Sequence, residues 1–179
     1  STAQHSMDLL PQHHDEFRSK SYWDSFFAQR GDDAFERYGS FRDLRALCLR
    51  RLSASARVLV LGCGNSAFSA DLHDAGVRDV HSVDFSESVV RAMQRLNATR
   101  PALRWSVMDM TALDLPDCSC DAVVDKGALD ALLSVDEPQL LQKAADMFAH
   151  ISRVLVPGGQ VRHSLPHSPT RPLTHSPTR

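Results

Sequence analysis

Three kinds of residue in this 179-residue chain could do chemistry. The first is a glycine pair, Gly62 and Gly64, which closes the apolar run Val58-Leu59-Val60-Leu61. Glycine lets a backbone pass close to a ligand with no Cβ in the way. The second is a set of acids, Asp84, Asp109 and Asp125, each just after an apolar segment. A carboxylate can accept hydrogen bonds from both hydroxyls of a ribose or from an exocyclic amine. Asp84 stands 22 residues after Gly62, where a dinucleotide-binding fold places its ribose-bonding acid. The third is an ammonium, Lys126, next to Asp125. Together they describe a crevice for a nucleotide-like ligand without choosing among such ligands. Gly62-x-Gly64-x-x-Ala67 also satisfies the loose NAD fingerprint.

These residues need a scaffold that delivers them to one place. Val58 to Leu61 reads as a strand buried on both faces, as in parallel sheets. A helix follows over Ala67 to Ala75 and ends at Gly76. Val80 to Val83 is the second strand, closed by Asp84, and Ser86 is a good N-cap for the helix carrying Val89, Val90, Met93 and Leu96. Leu103 to Met108 is the third strand and Ala122 to Val124 the core of the fourth. Asp136 then caps a helix with Pro138 in its first turn, an apolar face of Leu140, Leu141, Ala144, Met147, Phe148, Ile151 and Leu155, and a stop at Pro157-Gly158-Gly159. This alternation predicts an α/β fold, a doubly wound, mainly parallel Rossmann-like sheet with its ligand crevice at the carboxyl ends of the strands. Upstream, Ser21 to Gln29 predicts a helix with Tyr22, Trp23, Phe26 and Phe27. It can pack by its aromatic face and also lay a ring over a ligand. Asp43 to Leu52 predicts a second amphipathic helix, with Leu44, Leu47 and Leu52 at helical spacing.

Composition sets the outer limits. A hydrophobic fraction of 42% can supply a core, and a net charge of −2 gives no bulk attraction to nucleic acid or membranes. No stretch is long and apolar enough to span a bilayer, and the N-terminal segment lacks a signal core, so the expected compartment is cytoplasmic. Cys48, Cys63, Cys118 and Cys120 form no C-x-x-C pair and read as reduced structural thiols, and no metal site is expected. Six of the nine histidines lie in the first 14 or last 17 residues and are expected to be solvated. Residues 1–20 read as a flexible leader, with Met7 as a possible start. Residues 160–179 read as a low-complexity tail, in which His-Ser-Pro-Thr-Arg occurs at 167–171 and 175–179.

Three features separate the cofactors. An NAD dehydrogenase of this length has no room for a substrate domain. Asp109 suits the edge of an adenine. The segment Val123-Val124-Asp125-Lys126-Gly127-Ala128-Leu129-Asp130-Ala131-Leu132 does not look like a nicotinamide site. Tyr22-Trp23, Phe35-Glu36-Arg37-Tyr38-Gly39, Val58 to Ser66, Val83-Asp84, Met108-Asp109-Met110, Asp125-Lys126-Gly127-x-Leu129-Asp130-Ala131 and Arg153-Val154-Leu155-x-x-Gly158-Gly159 then carry a resemblance. The chain resembles class I S-adenosylmethionine-dependent methyltransferases, and among them the group that modifies translation elongation factor 1-alpha. The likeness runs from about Met7 to Gly159.

The resemblance implies S-adenosyl-L-methionine as cofactor and a protein lysine amine, on elongation factor 1-alpha, as acceptor. It implies that Gly62 and Gly64 line the methionine and ribose part of the cofactor and that Asp84 holds the ribose hydroxyls. Phe85 would pack on the adenine and Asp109 and Met110 meet its edge. Lys126 would lie beside the methionine moiety, and Trp23 and Phe27 would cover the cofactor. Members of the group usually carry Trp where this chain has Arg37. No general base is indicated. Asp125 and Asp130 are candidates to orient the amine, or alternatively to cap a helix start. The family's sheet has seven strands, so this chain is expected to be truncated after strand four or early in strand five, leaving strand four at an uncovered edge. The alternatives to a lysine methyltransferase are a catalytically poor cofactor- or partner-binding fragment of that family and, further off, an NAD-linked oxidoreductase.

Overall fold

A computed structural model describes residues 19–50, 52–134 and 137–163. The leader before residue 19, the Asp136 cap and the repeats after residue 163 lie outside the described residues. The elements are α1 (Lys20–Arg30), α2 (Phe41–Leu49), β1 (Arg57–Leu61), α3 (Phe68–Asp74), β2 (Asp79–Asp84), α4 (Glu87–Leu96), β3 (Leu103–Val107), β4 (Cys120–Asp125), α5 (Ala128–Leu132), α6 (Pro138–Val154) and β5 (Leu155–His163). The sheet order is β3-β2-β1-β4-β5, and every pairing is parallel. Chain order reverses on the two sides of β1. That is the switch point at which open α/β sheets bind ligands, beyond the carboxyl ends of the strands.

Each face of the sheet carries its own core. Val58, Val60, Val80, Trp105, Ala122 and Val124 pack with α3 and α4 through Phe68, Leu72, Val89, Val90 and Met93. Leu59, Leu61, Val83 and Val123 pack on the other side with Met147, Ile151 and Val154 of α6. Because β1 and β4 feed both cores, their side chains are apolar without alternation, and each of Val58 to Leu61 is at most 3% exposed. The register Val58↔Ala122 to Leu61↔Asp125 brings the ends of β1 and β4 level.

Two expectations need correction here. Strand four is not at an edge, because β4 lies between β1 and β5. The chain from Leu155 onward forms β5, and Gln160 to His163 belong to it rather than to a tail. Pro157 is tolerated because the ladder is irregular there. Leu155 sits opposite Cys120 and Gln160 opposite Ala122, so Val156 to Gly159 run past Asp121 out of step. The second correction concerns α6. Leu140, Ala144, Met147, Ile151 and Val154 are buried, but Leu141 is 61% and Phe148 49% exposed, so the buried stripe is narrower than the sequence periodicity suggested.

Candidate cofactor site

The crevice begins with β1. After Leu61 the chain turns on Gly62 (φ 53°) and Gly64 (φ 51°), both in the left-handed region that L side chains avoid. Space reinforces the requirement. A Cβ on Gly62 would lie 2.4 Å from that of Ala128, and one on Gly64 would lie 3.0 Å from the Phe27 ring. Asp84, at the end of β2, is 5% exposed. Its Oδ2 accepts from the Gly64 amide at 2.9 Å and its Oδ1 from the Ser86 amide at 2.9 Å. Burial pushes this carboxyl above the ordinary aspartate range, against the pull of those amides. Each oxygen still has a lone pair to offer a ligand hydroxyl. Beyond β3, Asp109 Oδ1 accepts from the amide and hydroxyl of Thr111, both at 2.8 Å, which fixes the carboxylate at the crevice edge.

The aromatic cover comes from α1. Trp23 and Phe27 stack with ring centroids 5.6 Å apart, one helical turn from each other. The helix is held over the crevice by Asp24, which accepts from the hydroxyls of Ser86 and Ser88 at the start of α4 and from Lys20. The Lys20 hydrogen bond first, and the Ser86 hydroxyl next, hold the Asp24 carboxyl below its usual value.

The stretch between α1 and α2 supplies a strap whose position has no local cause in its own residues. Asn65 donates to the Asp33 carbonyl at 2.8 Å and accepts from the Phe35 amide at 3.0 Å. Glu36 accepts from the Ala67 amide, the Ser66 hydroxyl and the Lys126 ammonium, each at 2.8 Å. Lys126 also donates to the carbonyls of Arg37 (2.9 Å) and Gly39 (3.4 Å), and its side chain is 7% exposed. The strap is thus bound to the glycine turn on one side and to the end of β4 on the other. Tyr38 turns the chain at φ 61° and sets its ring against Gly127. Burial, then a hydrogen bond to Asp130, pushes the Tyr38 phenol up, opposed by Arg37.

These elements enclose a cavity of about 220 Å³. All nine residues named from the sequence line it: Trp23, Phe27, Gly62, Gly64, Asp84, Phe85, Asp109, Met110 and Lys126. Lys126 does so with its ammonium turned to Glu36 and the strap carbonyls. Asp125 is the helix cap rather than an amine-orienting group. Its Oδ1 accepts from the amides of Gly127 (3.1 Å) and Ala128 (2.7 Å), and its Oδ2 is 2.7 Å from His163 Nδ1. His163 is therefore a paired side chain, 22% exposed, where a solvated one was expected. Phe35, Arg37, Asn65, Ala128, Ala131 and Lys143 also line the cavity. Of these, Phe35, Arg37, Asn65 and Ala131 lay in motifs, Ala128 stood at the open position of one, and only Lys143 lay in none. Cys63, buried under the turn, has its thiol pushed well up by burial and is no nucleophile.

A parallel sheet with its switch point at β1, a double-glycine turn and an acid at the end of β2 define a nucleotide-cofactor domain. Residues 58–159 match the methyltransferase domain family, and the chain belongs to that family. It is 44% identical over 155 residues to the human eEF1A lysine and N-terminal methyltransferase, an alignment covering 86% of this chain and 22% of that protein. It is 42% identical over 159 residues to mouse EEF1A lysine methyltransferase 4, covering 84% of this chain and 62% of that one. It thus spans about a fifth of the length of the first relative. Among solved structures, the Haemonchus contortus phosphoethanolamine N-methyltransferase 2 complex with phosphomonomethylethanolamine and S-adenosylhomocysteine superposes with a TM-score of 0.62. There the identity is 23%, over 85% of this chain and 35% of that one. At that identity the likeness speaks to the fold alone.

Proposed function

We propose that this chain binds S-adenosyl-L-methionine in the β1–β2–β4 crevice and transfers its methyl group to a lysine amine of translation elongation factor 1-alpha in the cytoplasm. The observation that carries the cofactor assignment is the convergence of nine residues from separate segments on one cavity. The residues fit the group. The glycine turn leaves backbone, not side chain, facing the ligand. Asp84 offers two oxygens to a ribose, and Phe85, Met110 and Asp109 offer an apolar slot with one acceptor at its edge for an adenine. The acceptor assignment draws on the relatives, whose names give eEF1A lysine as their target. Among the described residues no helix is long and apolar enough to cross a membrane.

When bound, S-adenosylmethionine supplies an electrophilic sulfonium methyl. The chain's own contribution is position and exclusion of water. Trp23 and Phe27 cover the crevice, Asp84 fixes the ribose, and the strap ties the glycine turn to the end of β4. An acceptor lysine must arrive neutral, and removing its proton at pH 7 costs about 4–5 kcal/mol from an ordinary pKa. A water-poor crevice reduces that cost by disfavouring the ammonium. The test is transfer of tritiated methyl from S-adenosylmethionine to purified elongation factor 1-alpha, with the site mapped by mass spectrometry. Label on a lysine of that factor is expected. A chain that labels proteins of a cell lysate but never the purified factor would sink the acceptor assignment.

A further inference from the structure

We propose that Arg37 holds the α-carboxylate at the amino-acid end of the cofactor. The inference rests on the S-adenosylmethionine reading of the crevice and extends it to a residue outside the double-glycine and acid pattern. On that reading, the strand order sets which way such a ligand lies. Asp109 and Met110 follow β3, Asp84 ends β2, and Gly62 and Gly64 follow β1. With adenine at the first and ribose at the second, the amino-acid end runs across the glycine turn to the end of β4. Arg37, Lys126, Gly127 and Ala128 line the cavity there.

A carboxylate at that end calls for a cation, and three cationic side chains line the cavity: Arg37, Lys126 and Lys143. The ammonium of Lys126 has three protons, and three partners already receive them: Glu36, the Arg37 carbonyl and the Gly39 carbonyl. Lys143 is an exposed lysine on α6 and loses more side-chain freedom on fixing a ligand. Arg37 is pre-positioned. Its carbonyl is held by Lys126, and its Cδ lies against Gly127, where a Cβ would approach it to 2.9 Å. Its guanidinium carbon sits 5.1 Å from the centroid of the Tyr38 ring, and Nη2 donates to the Tyr38 hydroxyl at 3.2 Å. A guanidinium has five N–H donors in a planar fork, so a bond to Tyr38 is compatible with one to a carboxylate.

The experiment compares two ligands that differ in the amino-acid end. S-adenosylhomocysteine has the carboxylate, whereas 5′-methylthioadenosine keeps the adenosine and thioether without it. Affinities are measured by calorimetry on the full chain and on Arg37→Met, which keeps the stem beside Gly127 but removes the charge. S-adenosylhomocysteine should weaken about tenfold or more, and methylthioadenosine by less than about twofold. Arg37→Lys should fall between wild type and Arg37→Met for the first ligand only, and it supplies the same comparison if Arg37→Met does not fold. Equal losses for both ligands in a folded variant, or no loss for S-adenosylhomocysteine, would overturn the assignment alone. A wild-type chain that bound neither ligand would overturn the cofactor reading and this assignment with it.

Discussion

The two ends of the crevice are held by different physics. At β1 and β2 the determinants are compact and backbone-based. Gly62 and Gly64 adopt a conformation only glycine takes readily, and Asp84 is fixed by two amides. At the end of β4 the determinants are side chains brought from far away. Glu36 meets Lys126 across 90 residues, and His163 meets Asp125 across 38. The first end is a turn that the chain can hardly avoid once β1 and β2 are paired. The second exists only after the strap and β5 have docked. A cofactor would be gripped at its ribose by the first end and at its amino-acid end by the second.

The sharpest way to break the first end is Gly62→Ala. The new Cβ would fall 2.4 Å from that of Ala128 at a φ of 53°. Backbone strain and overpacking together should cost about 3 kcal/mol. Urea denaturation should show the loss, and α5 should move away from the turn, abolishing cofactor binding. A stability change under about 1 kcal/mol would mean that α5 yields easily and that this end is less rigid than described.

Glu36→Ala attacks the second end. It removes the acceptor for the Ala67 amide and the Ser66 hydroxyl and leaves the Lys126 ammonium, 7% exposed, without its anion. Glu36 is itself partly exposed, so the loss should be about 2 kcal/mol, below that of a fully buried pair. Native-state hydrogen exchange should show faster exchange of the Ala67 amide, with β1 amides unaffected. Equal loosening of both would mean that the two ends unfold as one unit.

That contrast also explains what could be read from the sequence. β1, β2, the double-glycine turn and the Ser86 cap were legible because their causes lie within a few residues: apolar runs, φ-permissive glycines and an N-cap hydroxyl that accepts from the Val89 amide. Gly62 to Asp84 is a fixed spacing, so an acid set beside the glycine turn at the end of β2 was legible too. β5 was not, because Pro157, two glycines, Arg162 and His163 lack any strand alternation. An edge strand with an irregular ladder needs none. Glu36 stood in a motif, but nothing local gave its role, since its partners lie 30 and 90 residues away. The acid Asp125 was visible, but its role depended on whether it would meet its own helix amides or a ligand. It met the amides.

Protonation offers a gentler probe of the first end. Burial holds the Asp84 carboxyl above the ordinary aspartate value. A protonated Asp84 can no longer accept from two hydroxyls through two anionic oxygens. Affinity for S-adenosylhomocysteine should therefore fall as pH drops through that raised value, by up to about tenfold per pH unit below it. In the ligand-free protein the sign is opposite. The stabilising contribution of a raised carboxyl is fully present below the unfolded value and is lost as pH rises through the folded one. Asp84→Asn should flatten both dependences. If affinity keeps the same pH profile in Asp84→Asn, the ribose role falls.

The smallest effect is expected at the opposite ends of the same strands, and it separates crevice chemistry from simple sheet cohesion. Arg57 opens β1, and Asp121 lies near the start of β4. The Asp121 carboxylate accepts from the Arg57 amide at 2.8 Å, from Nε at 3.1 Å and from Nη2 at 2.9 Å. The Arg57 side chain first, and its amide next, lower the Asp121 carboxyl. A depressed carboxyl contributes stability that is present above its unfolded value, ordinarily 3.8, and lost as pH falls through the lower folded one. Both side chains are more than a third exposed, so solvent screening keeps the pair's contribution small. Asp121→Asn should therefore remove a small acid-dependent part of stability, read from chemical denaturation at pH 7 and near pH 3. Its affinity for S-adenosylhomocysteine should stay within about twofold of wild type. A larger change in affinity would mean that strain at the amino ends of β1 and β4 is transmitted along the strands to the glycine turn. The two ends of the crevice would then share one support instead of two.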